Sequence, residues 1–238
     1  QGSPTITTAS MSTLAKVAAM ATLFKIHAIF ESYMSEAFTV LLICLAIVTM
    51  FVGNIMALKQ DNIKRMLAYS GISHAGFMMI ALFNTANATA ELFYYAAAYS
   101  FASIAAFAII IAVCINYKDE KIKHFKGLGK QNPMMAAVLT MALLSMAGIP
   151  IFAGFFGKFF LFDSALQSGH LELVIFGVIN SIISVYYYFK VINQMYSQEA
   201  ISELPETNHS CIYKIVAVLA ILLNIAMGLC PSLILNLF

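Results

Sequence analysis

Apolar residues run through this chain in blocks of about twenty, divided by short segments where charge, Gly, Pro and Asn collect. Blocks of that size match the roughly 20 residues an α-helix needs to cross the hydrocarbon of a bilayer. Seven spans are predicted, near 5–27, 38–58, 65–83, 91–117, 133–163, 171–196 and 212–236. No stretch alternates apolar and polar residues at barrel spacing. The expected fold is therefore all-α, a polytopic transmembrane helical bundle forming a single transmembrane domain over 1–238. The fifth block is too long for one straight span and holds Gly148 and Pro150 in its middle. A broken helix is expected there, its freed backbone carbonyls lining a cavity.

Composition supports a lipid environment. The 238 residues are 61% hydrophobic and only 10% charged, with mean hydropathy +0.87, whereas a soluble domain is about half apolar and about a quarter charged. A net charge of +2 gives no basis for a nucleic-acid partner. Cys44, Cys114, Cys211 and Cys230 fit neither metal-ligand spacing nor a disulfide framework, and are expected as small buried hydrophobes. The 14 methionines read as lipid-facing residues or core gap-fillers. With no Gly-rich nucleotide loop, metal-ligand cluster or nucleophile triad in the sequence, no redox centre is expected in this chain. The chain starts Gln1-Gly2-Ser3-Pro4, like a loop entering a helix, and is expected to be a fragment lacking its N-terminal part.

Loop charge is uneven. With loops on alternate sides, one side holds Lys59, Lys64, Arg65, Lys118, Lys121, Lys123, Lys126, Lys130, Lys190 and Lys214. The other side has Lys25 near its edge with Glu31, Glu36, Glu91, Asp163 and Glu172. The positive-inside bias then makes the basic loops cytoplasmic and puts the C-terminus outside.

A few polar residues lie where lipid or core is expected. Lys16 is about twelve residues into the first span, roughly 16–18 Å deep at 1.5 Å per residue, and its stem reaches only about 6 Å. Thr8, Ser12 and Lys16 follow at i, i+4, a polar stripe on one helix face. Lys158 comes two turns after the Gly-Ile-Pro break, beside Gly154 and Gly157, which allow close helix approach. An ammonium at membrane depth is costly and marks a site where charge moves. His74 is near the centre of the third span with Ser70 on its face, placed for proton relay or for a plain hydrogen bond to Ser. His124 and His209 fall in loops, and His27 and His170 near span ends, where no special role is expected. Glu91, Tyr95, Tyr99 and Ser103, and likewise Asn180, Ser184 and Tyr188, form further polar stripes that fit a water wire or interhelical hydrogen bonds equally well. Tyr186-Tyr187-Tyr188 reads as an aromatic belt at a span end.

These residues resemble the antiporter-like proton-channel family of bacterial NADH–quinone oxidoreductase (respiratory complex I), and within it the C-terminal half of the N-type subunit. The resemblance runs through Gly2-Ser3-Pro4 to Ser12-Thr13-Leu14-Ala15-Lys16, Gly53-Asn54-Ile55-Met56-Ala57-Leu58, and Asn62-Ile63-Lys64-Arg65-Met66-Leu67-Ala68-Tyr69-Ser70 with Ser73-His74. It continues through the Gly148 to Phe159 run and Tyr186 to Lys190. It implies two inverted five-helix repeats in the whole subunit, with Lys16 as the central lysine, Lys158 as the terminal lysine on the second broken helix, and His74 on the hydrophilic axis. It further implies NADH, FMN, iron–sulfur clusters and quinone in partner subunits, other complex I membrane subunits and lipid as neighbours, and a bacterial inner-membrane location. The D-type subunit of multisubunit Na⁺/H⁺ antiporters is similar at the lysine and is the alternative. The expected activity is proton translocation driven by NADH oxidation and quinone reduction elsewhere in the complex, through Lys16, His74 and Lys158. Ser12, Ser70, Tyr95, Tyr99, Ser103, Ser184 and Tyr188 are the expected polar pathway.

Overall fold

The computed structural model describes residues 3–85, 88–115, 117, 119–197 and 210–235. Lys118 and His209 lie outside them, as does the last residue of the seventh predicted span. Among the described residues, eight principal helices follow one another: α1 (Thr5–Phe30), α2 (Glu36–Leu58), α3 (Ile63–Asn84), α4 (Thr89–Cys114), α5 (Pro133–Ala147), α6 (Ala153–Gln167), α7 (Leu171–Met195) and α8 (Ser210–Leu229). Among the described residues there is no strand, only an isolated bridge between Asn62 and Lys121. Six of the helices are long and apolar enough to cross a membrane, and α5 is a shorter apolar helix.

Local chemistry sets several helix ends. Asn62 caps α3 by accepting from Arg65 N at 3.0 Å. Asn132 caps α5 by accepting from Met135 N at 3.3 Å, with Pro133 at the first helical position, where its missing N–H costs nothing. Gly148 ends α5 at φ +87°, the left-handed conformation glycine adopts without penalty. Five residues later α6 resumes, so the fifth block is two half-helices with Pro150 in the break. Ile151, also in the break, holds φ 90°, a costly angle for a β-branched residue.

Helices α3 and α4 are the most buried. Helices α1, α2, α7 and α8 turn apolar faces outward, with Leu14, Ile29, Val40, Leu41, Ile182 and Leu222 all exposed. Polar side chains gather inside instead: Asn54, Ser70, His74, Ser145, Lys158, Asn180 and Asn224 are buried. Apolar outside and polar within is the arrangement a lipid solvent favours. Close approach at the core uses glycine: a Cβ at Gly53 on α2 would lie 2.4 Å from Ser73 N on α3. The basic loops meet at one end of the bundle, where Lys190 pairs with Asp61 at 2.9 Å and Lys64 with Glu120 at 3.1 Å.

The cysteine expectation needs correction. Only Cys114 is buried, and Cys44, Cys211 and Cys230 are exposed on the outer surface, because an apolar residue in a bilayer bundle has no reason to prefer the inside.

Candidate functional site

Helix α1 is not a uniform α-helix. Met11–Ala15 forms a π-helical turn directly before Lys16, and Ser12 and Thr13 donate to the Ala9 carbonyl at 3.0 and 2.8 Å. Hydroxyl back-bonding of this kind supports a widened turn. The Ser12 hydroxyl serves the backbone, and Thr8, Ser12 and Lys16 still line one cavity across the widened turn. Lys16 reaches across to α3, where its Nζ donates to the Gly71 carbonyl at 2.9 Å, and it lies 3.8 Å from the centroid of the Tyr99 ring. Gly71 keeps this space clear: a Cβ there would be 3.0 Å from Nζ. Beside it a cavity of about 330 Å³ is lined by Thr8, Met11, Ser12, Lys16 and residues of α3.

The Tyr99 ring leads inward to His74, their centroids 4.6 Å apart. Ser12 and Ser103 lie near the Tyr99 hydroxyl, and Ser103 Oγ also meets Met146 Sδ at 3.9 Å. Both ring nitrogens of His74 bond to tyrosines: Nδ1 with Tyr95 at 2.7 Å and Nε2 with Tyr188 at 3.2 Å. The Tyr188 hydroxyl also bonds Ser70. A second layer follows on α7 and α2. Tyr187 donates to Asn54 Oδ1 at 2.9 Å, and the Asn54 amide donates to Asn180 Oδ1 and to the Asn180 carbonyl, both at 2.9 Å. Ser184 is buried beside this layer, its hydroxyl donating to the Ser181 carbonyl at 2.6 Å.

Lys158 projects from α6 back to the break. Its Nζ donates to the carbonyls of Met146 at 3.3 Å and Ala147 at 3.1 Å, in the last turn of α5. Those carbonyls lack helical partners and form the negative end of the half-helix, so they suit an ammonium. Nζ also lies 4.8 Å from the Phe77 ring centroid. Phe77 stands 6.2 Å from His74 and 6.4 Å from Tyr95, ring to ring.

The predicted residues thus fall into one array. Half-buried Lys16 lies against Tyr99 and Tyr99 against His74. His74 bonds Tyr95 and Tyr188, Tyr188 bonds Ser70, and Lys158 stands across the Phe77 ring, with Ser12, Ser103 and Ser184 beside the array. Gly148 and Pro150 lie in the break that Lys158 faces. The aromatic-belt reading fits Tyr186 alone, which is 68% exposed, while Tyr187 and Tyr188 are fully buried. Glu91 is not a simply solvated helix start, since its Oε2 is buried without a partner among the described residues. His27 is buried as well. His124 pairs with Asp119 at 2.7 Å and His170 with Glu172 at 3.0 Å. Gly71, Phe77 and Asn54 were not singled out from sequence, although an amide in an apolar span is the same kind of signal as a buried lysine. Among the described residues, no group of three or more His, Cys, Asp or Glu side chains is placed to hold a metal ion.

The array can be set beside known proteins. A relative named NADH-quinone oxidoreductase subunit N from Flavobacterium johnsoniae is 54% identical over 244 residues, taking in 100% of this chain and 52% of the relative. The chain spans about half the length of the curated relatives it matches. Among solved structures, the membrane-bound sulfane sulfur reductase, an archaeal respiratory membrane complex, contains a chain that superposes with TM-score 0.88 at 27% identity, covering 100% of this chain and 48% of that one. Respiratory complex I from Thermus thermophilus with bound aureothin contains another, with TM-score 0.72 at 31% identity over 82% of this chain and 44% of that one. Residues 1–184, which hold Lys16, Ser70, His74, Tyr95, Tyr99 and Lys158 but not Tyr188, match the family described as NADH:quinone oxidoreductase/Mrp antiporter, TM. By that match, the chain belongs to the NADH:quinone oxidoreductase/Mrp antiporter transmembrane family.

Proposed function

We propose that this chain acts within the N-type membrane subunit of a NADH–quinone oxidoreductase, moving protons across the membrane by protonation changes at Lys16, His74 and Lys158. The observation that carries this reading is the array itself. Two intramembrane ammonium groups are held by backbone carbonyls, and between them a histidine has both ring nitrogens on tyrosine hydroxyls. Buried lysines bonded only to neutral carbonyls can release a proton without leaving an unpaired partner charge. Histidine can take a proton at one nitrogen and pass one from the other, and the Tyr95, Tyr188 and Ser70 hydroxyls can both donate and accept.

The relatives named NADH-quinone oxidoreductase subunit N supply the proposed coupling. NADH is oxidised and quinone reduced in partner subunits holding FMN and iron–sulfur clusters, and this chain uses the released energy. The basic end of the bundle faces the cytoplasm, and protons leave on the opposite side, where the C-terminus lies.

The test uses the full-length gene in everted membrane vesicles, wild type beside Lys158→Ala, with NADH oxidation, NADH-driven acidification and the amount of assembled complex followed together. Acidification per assembled complex is expected to fall at least about tenfold, the effect of about 1.4 kcal/mol on a rate. Unchanged NADH-driven acidification, with Na⁺-evoked proton exchange abolished, would reassign the chain to a D-type antiporter subunit.

A further inference from the structure

Helix α8 lies beyond the residues matched to the family, yet it packs directly on the helix break. A Cβ at Gly228 would lie 2.3 Å from the Ile151 carbonyl oxygen and 2.8 Å from Ala153 N, so the α8 backbone rests against the loop between the half-helices. Tyr94 on α4 donates to the Met227 carbonyl at 2.8 Å and holds this end of α8 in place. One turn earlier, Asn224 is fully buried, a lone amide in an apolar run from Ile215 to Leu229.

The contacts of Asn224 fix the role of each of its atoms. Its Nδ2 donates to the Ala98 carbonyl on α4 at 2.8 Å, and that oxygen can only accept. Its Oδ1 therefore faces Ser145, whose hydroxyl donates to it at 2.8 Å. The same hydroxyl accepts from Gly154 N at 3.3 Å. Ser145 sits in the last turn of α5, immediately before Met146 and Ala147, whose carbonyls hold Lys158. Gly154 is in the first turn of α6, one turn before Lys158. A single buried hydroxyl thus joins the turn that supplies the acceptors to the turn that leads to the donor. The junction is tight, because a Cβ at Gly154 would fall 1.9 Å from the Ser145 carbonyl oxygen.

We propose that Asn224 and Ser145 form a latch across the break and are positioning residues for Lys158, holding the Met146 and Ala147 carbonyls at the distance its ammonium needs. The proposal rests on the reading of Lys158 as a proton carrier. Through this latch α8 acts on Lys158 although it does not touch it. Loss of the Asn224 amide frees the Ser145 hydroxyl to turn away from Gly154, and the two half-helices lose the side-chain hydrogen bond that joins them.

The test uses the assembled complex in everted vesicles, with complex content measured on native gels. Ser145→Ala and Asn224→Leu break the latch from opposite sides. Each is expected to lower NADH-driven acidification per assembled complex about fivefold or more, the scale on which one buried hydrogen bond acts on a rate. Neither should lower it further in a Lys158→Ala background. Asn224→Asp, which as the neutral acid keeps an oxygen for Ser145 and a donor for Ala98, should pump better than Asn224→Leu. Full pumping by Lys158→Ala would overturn the reading of Lys158, and this proposal with it. If Lys158→Ala is impaired, three results would each overturn the latch alone: wild-type pumping in both latch variants, a further loss of the same size in the double variants, or equal loss in Asn224→Asp and Asn224→Leu.

Discussion

The Tyr188 hydroxyl bonds to Ser70 and stands 3.2 Å from Nε2 of His74, so one oxygen connects the histidine to the α3 hydroxyl a turn before it. Tyr188→Phe keeps the ring and deletes only that oxygen. With two hydrogen bonds lost, each worth about 0.5–1.5 kcal/mol net, acidification per assembled complex should drop roughly tenfold or more, while native gels show normal assembly. Equal acidification in Tyr188→Phe and wild type would remove Tyr188 from the pathway. The lysines and His74 were legible in the sequence because a titratable group at membrane depth has few structural reasons to be there. Tyr187 was not legible, since position near a span end does not say which way a ring points, and Tyr186 beside it does face outward. Freed carbonyls at the break were expected, but that those of Met146 and Ala147 would hold Lys158 was not legible. Every residue has a carbonyl, and only a helix end leaves one without a partner.

The two half-helices meet through glycine. Gly148 carries φ +87°, and a Cβ there would lie 3.2 Å from Lys158 Cδ, so the residue both turns the chain and makes room for the lysine stem. Gly154 is under heavier constraint, packed against the Ser145 carbonyl. Gly154→Ala is expected to push the halves apart at a cost of about 1–3 kcal/mol, and the readout is the amount of assembled complex on native gels, not only its rate. Assembly at wild-type level would show that the break tolerates widening. The break was legible because Gly and Pro interrupt an apolar block too long for one span. The π turn at Met11–Ala15 was not. Apolar periodicity is blind to one inserted residue, and the Ser12 and Thr13 hydroxyls that support the turn are equally at home on a regular helix.

Seen whole, the bundle has a charged end tied together by Glu120. Thr5 donates to it at 2.8 Å, Asn62 at 3.2 Å and Lys64 at 3.1 Å, which joins the start of α1, the cap of α3 and the loop after α4. Burial alone would raise the Glu120 pKa, but the hydrogen bonds from Thr5, Asn62 and Lys64 outweigh it and hold the carboxyl below its ordinary value. A depressed carboxyl contributes stability that is present above its unfolded pKa and is lost as pH falls through the folded one. Protease nicking within 115–132 should therefore be flat from about pH 8 to 5 and rise below about pH 4. Glu120→Ala should nick roughly fivefold faster at neutral pH, the effect of about 1 kcal/mol, and nicking at wild-type rate would show that the clamp is idle. The asymmetry of this end was plain from loop charge, but its fastening was not, because Thr5, Asn62 and Glu120 are far apart in sequence and meet only through the fold. At the opposite pole of the array, among the described side chains, no hydrogen bond joins His74 to Lys158, and the Phe77 ring lies 6.2 Å from the His74 ring and 4.8 Å from the Lys158 ammonium. An energised membrane stores about 2.3 kcal/mol per elementary charge for each 100 mV, and an unbroken wire from face to face would drain it. For the proposed pump that ring is insulation in a circuit that must close only when driven, which makes the apolar gap as much a working part as the histidine and the lysine on either side.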